Sequence, residues 1–178
     1  MITDNKNLRT LLAALAIGAV PLAASAHGER AHDAKDAPLI KEQTAWGIAA
    51  EADKAERTLE VVMSDDMRFT PDRVTFTEGE TVRLVVKNAG KIMHELVIGD
   101  QASLAEHAEM MVRFPNMEHD EPYMAHVPPG ETREIVWTFN RDGEFEFACL
   151  IPGHYQAGML AKVEVVDREK HAASGHGH

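Results

Sequence analysis

Hydrophobic and polar residues alternate in short runs along most of the chain. The apolar positions of these runs are Leu59-Val61-Met63, Val74-Phe76, Val82-Leu84-Val86, Ile92-Leu96-Ile98, Ile135-Trp137-Phe139, Phe145-Phe147 and Ala161-Val163-Val165. A period of two is typical of a strand with one buried face. Turn residues such as Asn88-Ala89-Gly90 and Asp142-Gly143 separate the runs. The pattern predicts an all-β protein, an antiparallel Greek-key β-sandwich.

The alternation defines one domain, which we place at residues 57–167. Before it, residues 1–26 have basic residues, an apolar stretch too short to span a bilayer and an Ala-Ser-Ala cleavage site, so they predict a secretory signal peptide. A short membrane anchor is the alternative. Residues 27–56 lack an apolar period and predict a flexible or loosely docked arm. Residues 168–178 form a His-rich C-terminal tail.

Composition narrows the set of partners. The chain has 29 acidic and 18 basic residues and a net charge of −11, which argues against nucleic acid and anionic membranes as partners. The acidic surface either steers a basic partner or only keeps the protein soluble. There is a single cysteine, Cys149. In an exported protein it cannot form an internal disulfide, so it is buried, reactive or bound to a metal.

The strongest chemical motif surrounds that cysteine. Cys149, His154 and Met159 form a C-x4-H-x4-M run, and His94 lies upstream. A thiolate, two imidazoles and a weak axial thioether are the ligands of a mononuclear type 1 copper site. His94 is in phase with Leu96 and Ile98, Cys149 with Phe145 and Phe147, and Met159 with Ala161 and Val163. Three of the four candidate ligands are therefore predicted to point into the apolar interior, whereas His154 lies on the loop.

This ligand pattern resembles the cupredoxins, the plastocyanin/azurin-like type 1 copper proteins. The stretch from Met67-Arg68-Phe69-Thr70-Pro71 through His94-Glu95-Leu96-Val97-Ile98-Gly99 to the ligand loop is most similar to periplasmic cupredoxins of proteobacteria associated with copper tolerance. The resemblance implies the cupredoxin fold, copper as cofactor and a periplasmic location. Cupredoxins usually carry Asn or Ser after the first histidine ligand, where this chain has Glu95. Glu95 is either a copper ligand or a residue that supports the ligands or faces solvent, and strand parity argues against ligation.

A short helical Met/His-rich insert departs from a minimal cupredoxin. Leu104 to Phe114 reads as a helix with Asp100 or Ser103 as its cap. A second copper site is one interpretation, because thioethers and imidazoles bind Cu(I). Its candidate ligands are His107, Met110, Met111, Met117, His119, Met124 and His126. The alternative is an ordinary amphipathic stripe in which methionine fills the core. The terminal residues His27, His32, His171, His176 and His178 either bind metal weakly or are only solvated.

These features predict a periplasmic type 1 copper protein that acts in copper tolerance or homeostasis and can transfer one electron. A soluble electron carrier for a respiratory or oxidase partner is the alternative. We do not expect an enzyme, because four protein ligands leave no open coordination position for a substrate. We expect a monomer that meets a redox or copper-transfer partner transiently. An apolar patch of Ile151, Pro152, Tyr155 and Ala157 around His154 would contact that partner.

Overall fold

The computed structural model describes residues 39–115 and 120–169, and they form a β-sandwich of two five-stranded sheets. The first sheet contains β1 (Ile48–Ala49), β2 (Arg57–Ser64), β3 (Arg68–Thr70), β5 (Glu80–Asn88) and β8 (Thr132–Phe139). The second sheet contains β4 (Arg73–Thr77), β6 (His94–Gly99), β7 (Met124–Val127), β9 (Gly143–Ala148) and β10 (Leu160–Val166). The predicted all-β sandwich is confirmed.

The strand order explains how distant segments meet. The first sheet runs β1-β8-β5-β2-β3 and the second runs β4-β10-β9-β6-β7. Most neighbours are antiparallel, as predicted, but β2 pairs in parallel with β5, and β10 pairs in parallel with β4. Alternation within a strand cannot reveal the direction of its neighbour, so the sequence did not predict these two parallel pairs. In the second sheet, β9 lies between β6 and β10, which places the ends of these three strands side by side.

The core lies between the sheets and follows the predicted alternation. Val61 and Met63 of β2, and Phe145 and Phe147 of β9, are buried there with the alternate residues of β10. Every residue of β6 is buried, because one face of this strand meets the sandwich core and the other meets a helix. The predicted strand starting at Ile92 is shorter than expected. It begins at His94, and Ile92 is exposed.

The insert contains helix α1 (Gln101–Arg113), near the predicted span. Asp100 is the N-cap, and its carboxylate accepts a hydrogen bond from the Ser103 N–H at 2.8 Å, which satisfies one of the unpaired donors of the first turn. Leu104, Ala108 and Met111 are the buried face of the helix and pack with Val97 and Leu150. The helix therefore covers the outer face of β6 and β9 beside the candidate ligands.

The segment before Arg57 differs from the predicted arm. Ile48–Ala49 pairs with β8, and the backbone N–H of Ala50 donates to Val136 O at 3.0 Å. The indole N–H of Trp137 donates to Trp46 O at 3.1 Å, and the Trp46 ring packs against the core. The described part of the arm is thus an ordered edge of the first sheet. Its single short strand carries too few residues for a period to be visible in the sequence.

Several predictions concern residues outside those the structure describes. The signal peptide at residues 1–26, the first part of the arm and the histidines of both termini belong to this group, as do Met117 and His119 of the insert. Within residues 39–115 and 120–169, no helix is both long and apolar enough to cross a membrane.

Candidate metal centre

Three adjacent strands of the second sheet bring the candidate ligands together. His94 is the first residue of β6, Cys149 follows the end of β9, and Met159 precedes the start of β10. The antiparallel ladder pairs Ala148 with Leu160, and the backbone N–H of Cys149 donates to Met159 O at 3.1 Å. Cys149, Met159 and His94 are all fully buried, as the alternation predicted for each of them. The same hydrogen-bonded ladder that builds the sheet therefore fixes the positions of these residues.

The loop between β9 and β10 turns back on itself and presents His154. Its N–H donates to Ile151 O at 2.9 Å, and its carbonyl oxygen accepts hydrogen bonds from the N–H groups of Ala157 and Met159, both at 3.1 Å. Gly153 has a φ of 92°, a left-handed conformation that favours glycine. The His154 ring is only partly buried, and its Nδ1 lies 3.3 Å from Cys149 Sγ. The loop is thus a compact turn that returns an imidazole to the thiol.

The three side chains form a cluster suited to a metal ion. A ring nitrogen of His94, a ring nitrogen of His154 and the sulfur of Cys149 lie within 4.8 Å of one another. The two imidazole centroids are 5.1 Å apart. Nδ1 of His94 is buried and has no hydrogen-bond partner among the described residues. A buried polar atom without a partner is costly, so a ligand for this nitrogen is expected. The donors fit copper, because thiolate and imidazole are ligands that it prefers.

The protonation of the cluster follows from its burial. Burial raises the pKa of the Cys149 thiol to about 12, so the thiol keeps its proton at neutral pH when no metal is bound. Burial, and to a smaller extent the nearby His94, lowers the pKa of His154. His154 is therefore neutral at pH 7 and has a lone pair to donate. Metal binding at this cluster must displace the thiol proton.

Glu95 is buried behind the thiol, and it links three segments. Its backbone N–H lies 3.5 Å from Cys149 Sγ, a weak hydrogen bond to sulfur. Its Oε1 accepts a hydrogen bond from the Leu150 N–H at 2.8 Å, and its Oε2 lies 2.9 Å from Nε2 of His126 on β7. The contact with Glu95 raises the pKa of His126. Both carboxylate oxygens of Glu95 contact groups outside the cluster of His94, Cys149 and His154. The geometry therefore favours a role in holding the candidate ligands in place over copper ligation.

Asp65, on the turn between β2 and β3, also contacts the cluster, and the sequence did not reveal it. Its Oδ1 lies 3.1 Å from Nε2 of His94, and its Oδ2 accepts a hydrogen bond from the Lys91 N–H at 2.8 Å. The Lys91 N–H, with a smaller contribution from His94, holds the pKa of Asp65 below its usual value. Gly90 lies against Asp65 in the structure, but in the sequence it is only part of the Asn88-Ala89-Gly90 turn and does not indicate Asp65.

The predicted ligands of a second site are dispersed. Met111 and Met124 are buried in the small core beneath α1, where they pack as ordinary apolar residues. His126 contacts Glu95. His107 and Met110 line a groove of about 350 Å³ that Trp46 and Glu121 also line. Among the residues that the structure describes, His94, Cys149 and His154 form the one group of three or more His, Cys, Asp or Glu side chains close enough to share an ion.

Comparison with known proteins agrees with this site. Residues 56–166 match the family described as copper binding proteins, plastocyanin/azurin family. The chain therefore belongs to the plastocyanin/azurin family of copper-binding proteins, and copper is the cofactor that its cluster fits.

Particular relatives carry names that concern copper. The chain is 51% identical over 142 residues to the copper-resistant cuproprotein CopI of Rubrivivax gelatinosus, covering 79% of this chain and 81% of that protein. It is 36% identical over 186 residues to the CopI protein of Pseudomonas aeruginosa, covering 88% and 97%. Auracyanin from Roseiflexus castenholzii has a similar fold, with a TM-score of 0.55 at 21% identity over 63% of this chain and 98% of that one.

Proposed function

We propose that the protein is an exported type 1 copper protein that acts in periplasmic copper tolerance. His94, Cys149 and His154 would hold the copper, and Met159 would be the axial ligand. The observation that carries this proposal is the buried His94 Nδ1, which has no hydrogen-bond partner among the described residues and belongs to the cluster with the Cys149 thiol. The names of the relatives that are 51% and 36% identical favour tolerance over other roles of a copper protein.

Each residue of the proposed copper site would have a distinct role. Copper bound at this cluster supplies a one-electron Cu(II)/Cu(I) couple. His94 and His154 would donate nitrogen lone pairs to the copper, and Cys149 would give up its proton to bind as the thiolate. The fully buried Cys149, His94 and Met159 keep water from the thiolate. The strand ladder and the turn at Gly153 hold these residues, so a change of copper oxidation state would require little movement of the chain.

An electron carrier remains the second candidate, and a specific feature favours it. The ring of His154 is the partly exposed member of the cluster, and Pro152 and Ala157 on the same loop are exposed apolar residues. A transient partner that docks on this loop would exchange an electron through the imidazole. The exposed side chains of Ile92 and Met93, which precede His94, would add to such an apolar surface. No catalytic residue is proposed, since His94, Cys149, His154 and Met159 would together hold the copper and leave no position for a substrate.

We also propose that the groove beside α1 binds additional Cu(I). His107 and Met110 are one helical turn apart and line this groove, so an imidazole and a thioether lie close to each other there. The rings of Trp46 and Tyr123 line it too, and an aromatic face attracts a cation. Met111 and Met124 are buried in the core and His126 contacts Glu95, which supports His107 and Met110 as donors among the candidates that the structure describes. Extra copper capacity would serve tolerance rather than electron transfer.

A complementation experiment distinguishes the two functions. Deletion of the gene is expected to sensitise cells to copper and to leave respiratory growth almost unchanged. The unchanged gene should restore tolerance. Cys149→Ala should restore it poorly, because it lacks the thiolate, and Glu164→Ala, at an exposed position of β10, is the control that should restore it fully. Normal copper tolerance with impaired respiration in the deletion strain would instead make the electron carrier the primary function.

A further inference from the structure

The two ring nitrogens of His94 have different surroundings. Nδ1 is buried and has no hydrogen-bond partner among the described residues, and the imidazole is a member of the cluster with Cys149 and His154. Nε2 lies 3.1 Å from Oδ1 of Asp65. An imidazole that donates N–H to a carboxylate keeps its proton on that nitrogen, which leaves the other nitrogen with a lone pair. Asp65 is therefore placed to decide which nitrogen of His94 can bind a metal.

The surroundings of Asp65 hold its carboxylate in place. Its Oδ2 accepts the Lys91 N–H at 2.8 Å, and its Oδ1 contacts His94. Gly90 approaches so closely that a Cβ there would lie 1.9 Å from Asp65 Oδ1. Asn88 is buried, and its side-chain amide donates to Ile92 O and Val127 O, both at 2.8 Å, which holds the 88–92 loop in place. Asp65 is exposed on the turn, but the Lys91 N–H and the His94 ring hold its carboxylate, and Gly90 leaves room for it.

We propose that Asp65 is a positioning residue that holds His94 in its ligating tautomer and lowers the reduction potential of the copper site. The proposal rests on the proposed type 1 site. A carboxylate hydrogen-bonded to a metal-bound histidine raises the basicity of the ligand. Its negative charge also stabilises the more highly charged ion, so Cu(II) gains more than Cu(I). Asp65 would thus bias the protein towards holding oxidised copper.

The first variant to test is Asp65→Asn, which removes the charge and nearly preserves the shape. The asparagine side-chain oxygen can still accept the Lys91 N–H, so the loop contact survives. The matched control is Asp66→Asn, because Asp66 is an exposed aspartate of the same turn whose side chain contacts Ser64 rather than His94. Both variants change the net charge equally. A difference between them therefore reports the contact with His94 and not the general field of the protein.

The measurement is the reduction potential of the copper-loaded proteins by voltammetry. In Asp65→Asn we expect the ratio of Cu(II) affinity to Cu(I) affinity to fall on the order of tenfold, which raises the potential by about 59 mV. Asp66→Asn should change the potential far less. Equal shifts in the two variants, or a lower potential in Asp65→Asn, would overturn the proposal. If the unchanged protein had no thiolate-to-copper absorption, the proposed function would fail instead, and the two failures are therefore distinct.

A second measurement needs no variant. Nitrogen-15 NMR of the unchanged protein, metal-free and loaded with Cu(I), reports which nitrogen of His94 carries the proton. We expect the proton on Nε2 in both states, with slow exchange against solvent because it is hydrogen-bonded to Asp65. A proton on Nδ1 in the metal-free protein, or a rapidly exchanging Nε2 proton, would contradict the positioning role whether or not Asp65→Asn folds.

Discussion

The burial of Cys149 disfavours ionisation of its thiol and also protects the thiol from oxidants. The thiol is fully buried among apolar residues, and its near polar neighbours are the Glu95 N–H and His154 Nδ1. Burial disfavours the thiolate, which is why the pKa rises to about 12. A thiol that stays protonated reacts slowly with oxidants, since the thiolate is the reactive form. The metal-free site is thereby protected until copper displaces the proton.

The raised pKa of Cys149 predicts the stability of the metal-free protein at alkaline pH. The unfolded thiol loses its proton near its ordinary pKa of 9.0, whereas the folded thiol keeps it until about 12. Between these values the unfolded state binds fewer protons, so the free energy of unfolding falls as pH rises, by at most about 1.4 kcal/mol per pH unit. Chemical denaturation at pH 8 to 11 would measure this decline. Cys149→Ala is the control and should decline less, and parallel profiles would contradict the prediction.

At the scale of elements, β6 organises the site because both of its faces are buried. Leu96 and Ile98 face the sandwich core, whereas Val97 faces α1. Glu95 shares the Val97 face, where its carboxylate meets the Leu150 N–H and the ring of His126 on β7. The register that pairs Glu95 with His126 therefore joins β7, β6 and the start of the ligand loop. The Glu95 side chain therefore connects β6 to β7 and to the loop that follows β9.

Substitution of Glu95 should show how much this connection contributes to the free energy of unfolding. Glu95→Ala leaves the buried Leu150 N–H without its acceptor, and we expect the free energy of unfolding to fall by about 1–3 kcal/mol. Glu95→Gln retains an oxygen that can accept this N–H and should lose less. Glu164→Ala, at an exposed position of β10, is the control and should be within about 0.5 kcal/mol of the unchanged protein. Denaturant unfolding of the metal-free proteins measures all three, and equal losses in both alanine variants would contradict the linking role.

At the scale of the whole molecule, the alternation of apolar residues predicted the strands and the direction of their side chains. It did not predict contacts between segments that are distant in the sequence. The sandwich and the inward direction of Cys149 and Met159 followed from alternation, because each residue shares a phase with its own strand. The contact of Asp65 with His94 joins the turn after β2 to the first residue of β6, 29 residues later in the chain, and no local pattern predicts such a contact. The docking of Trp46 onto the sheet was missed for the same reason, since a two-residue strand has no period.

Copper capacity is a prediction about the whole chain. If the groove beside α1 binds Cu(I), anaerobic titration of the full-length protein should exceed one copper per chain. The double variant His107→Gln with Met110→Leu should bind about one copper fewer, because it removes both donors that line the groove. Every variant retains the terminal histidines, so copper bound by these histidines does not affect the difference between the variants. Val112→Ala, at an exposed position on the same helix, is the control, and an unchanged stoichiometry in the double variant would exclude this site.

The unequal burial of the four candidate copper ligands would determine how copper and electrons reach the proposed site. Cys149, His94 and Met159 are closed off from solvent, and His154 alone of the four has a partly exposed ring. If the proposed copper site is correct, the exposed edge of His154 would be the point of approach both for a protein that delivers copper and for a protein that exchanges an electron. A protein bound over that edge would block ion transfer while it exchanges electrons. Delivery and redox turnover would therefore have to alternate in time.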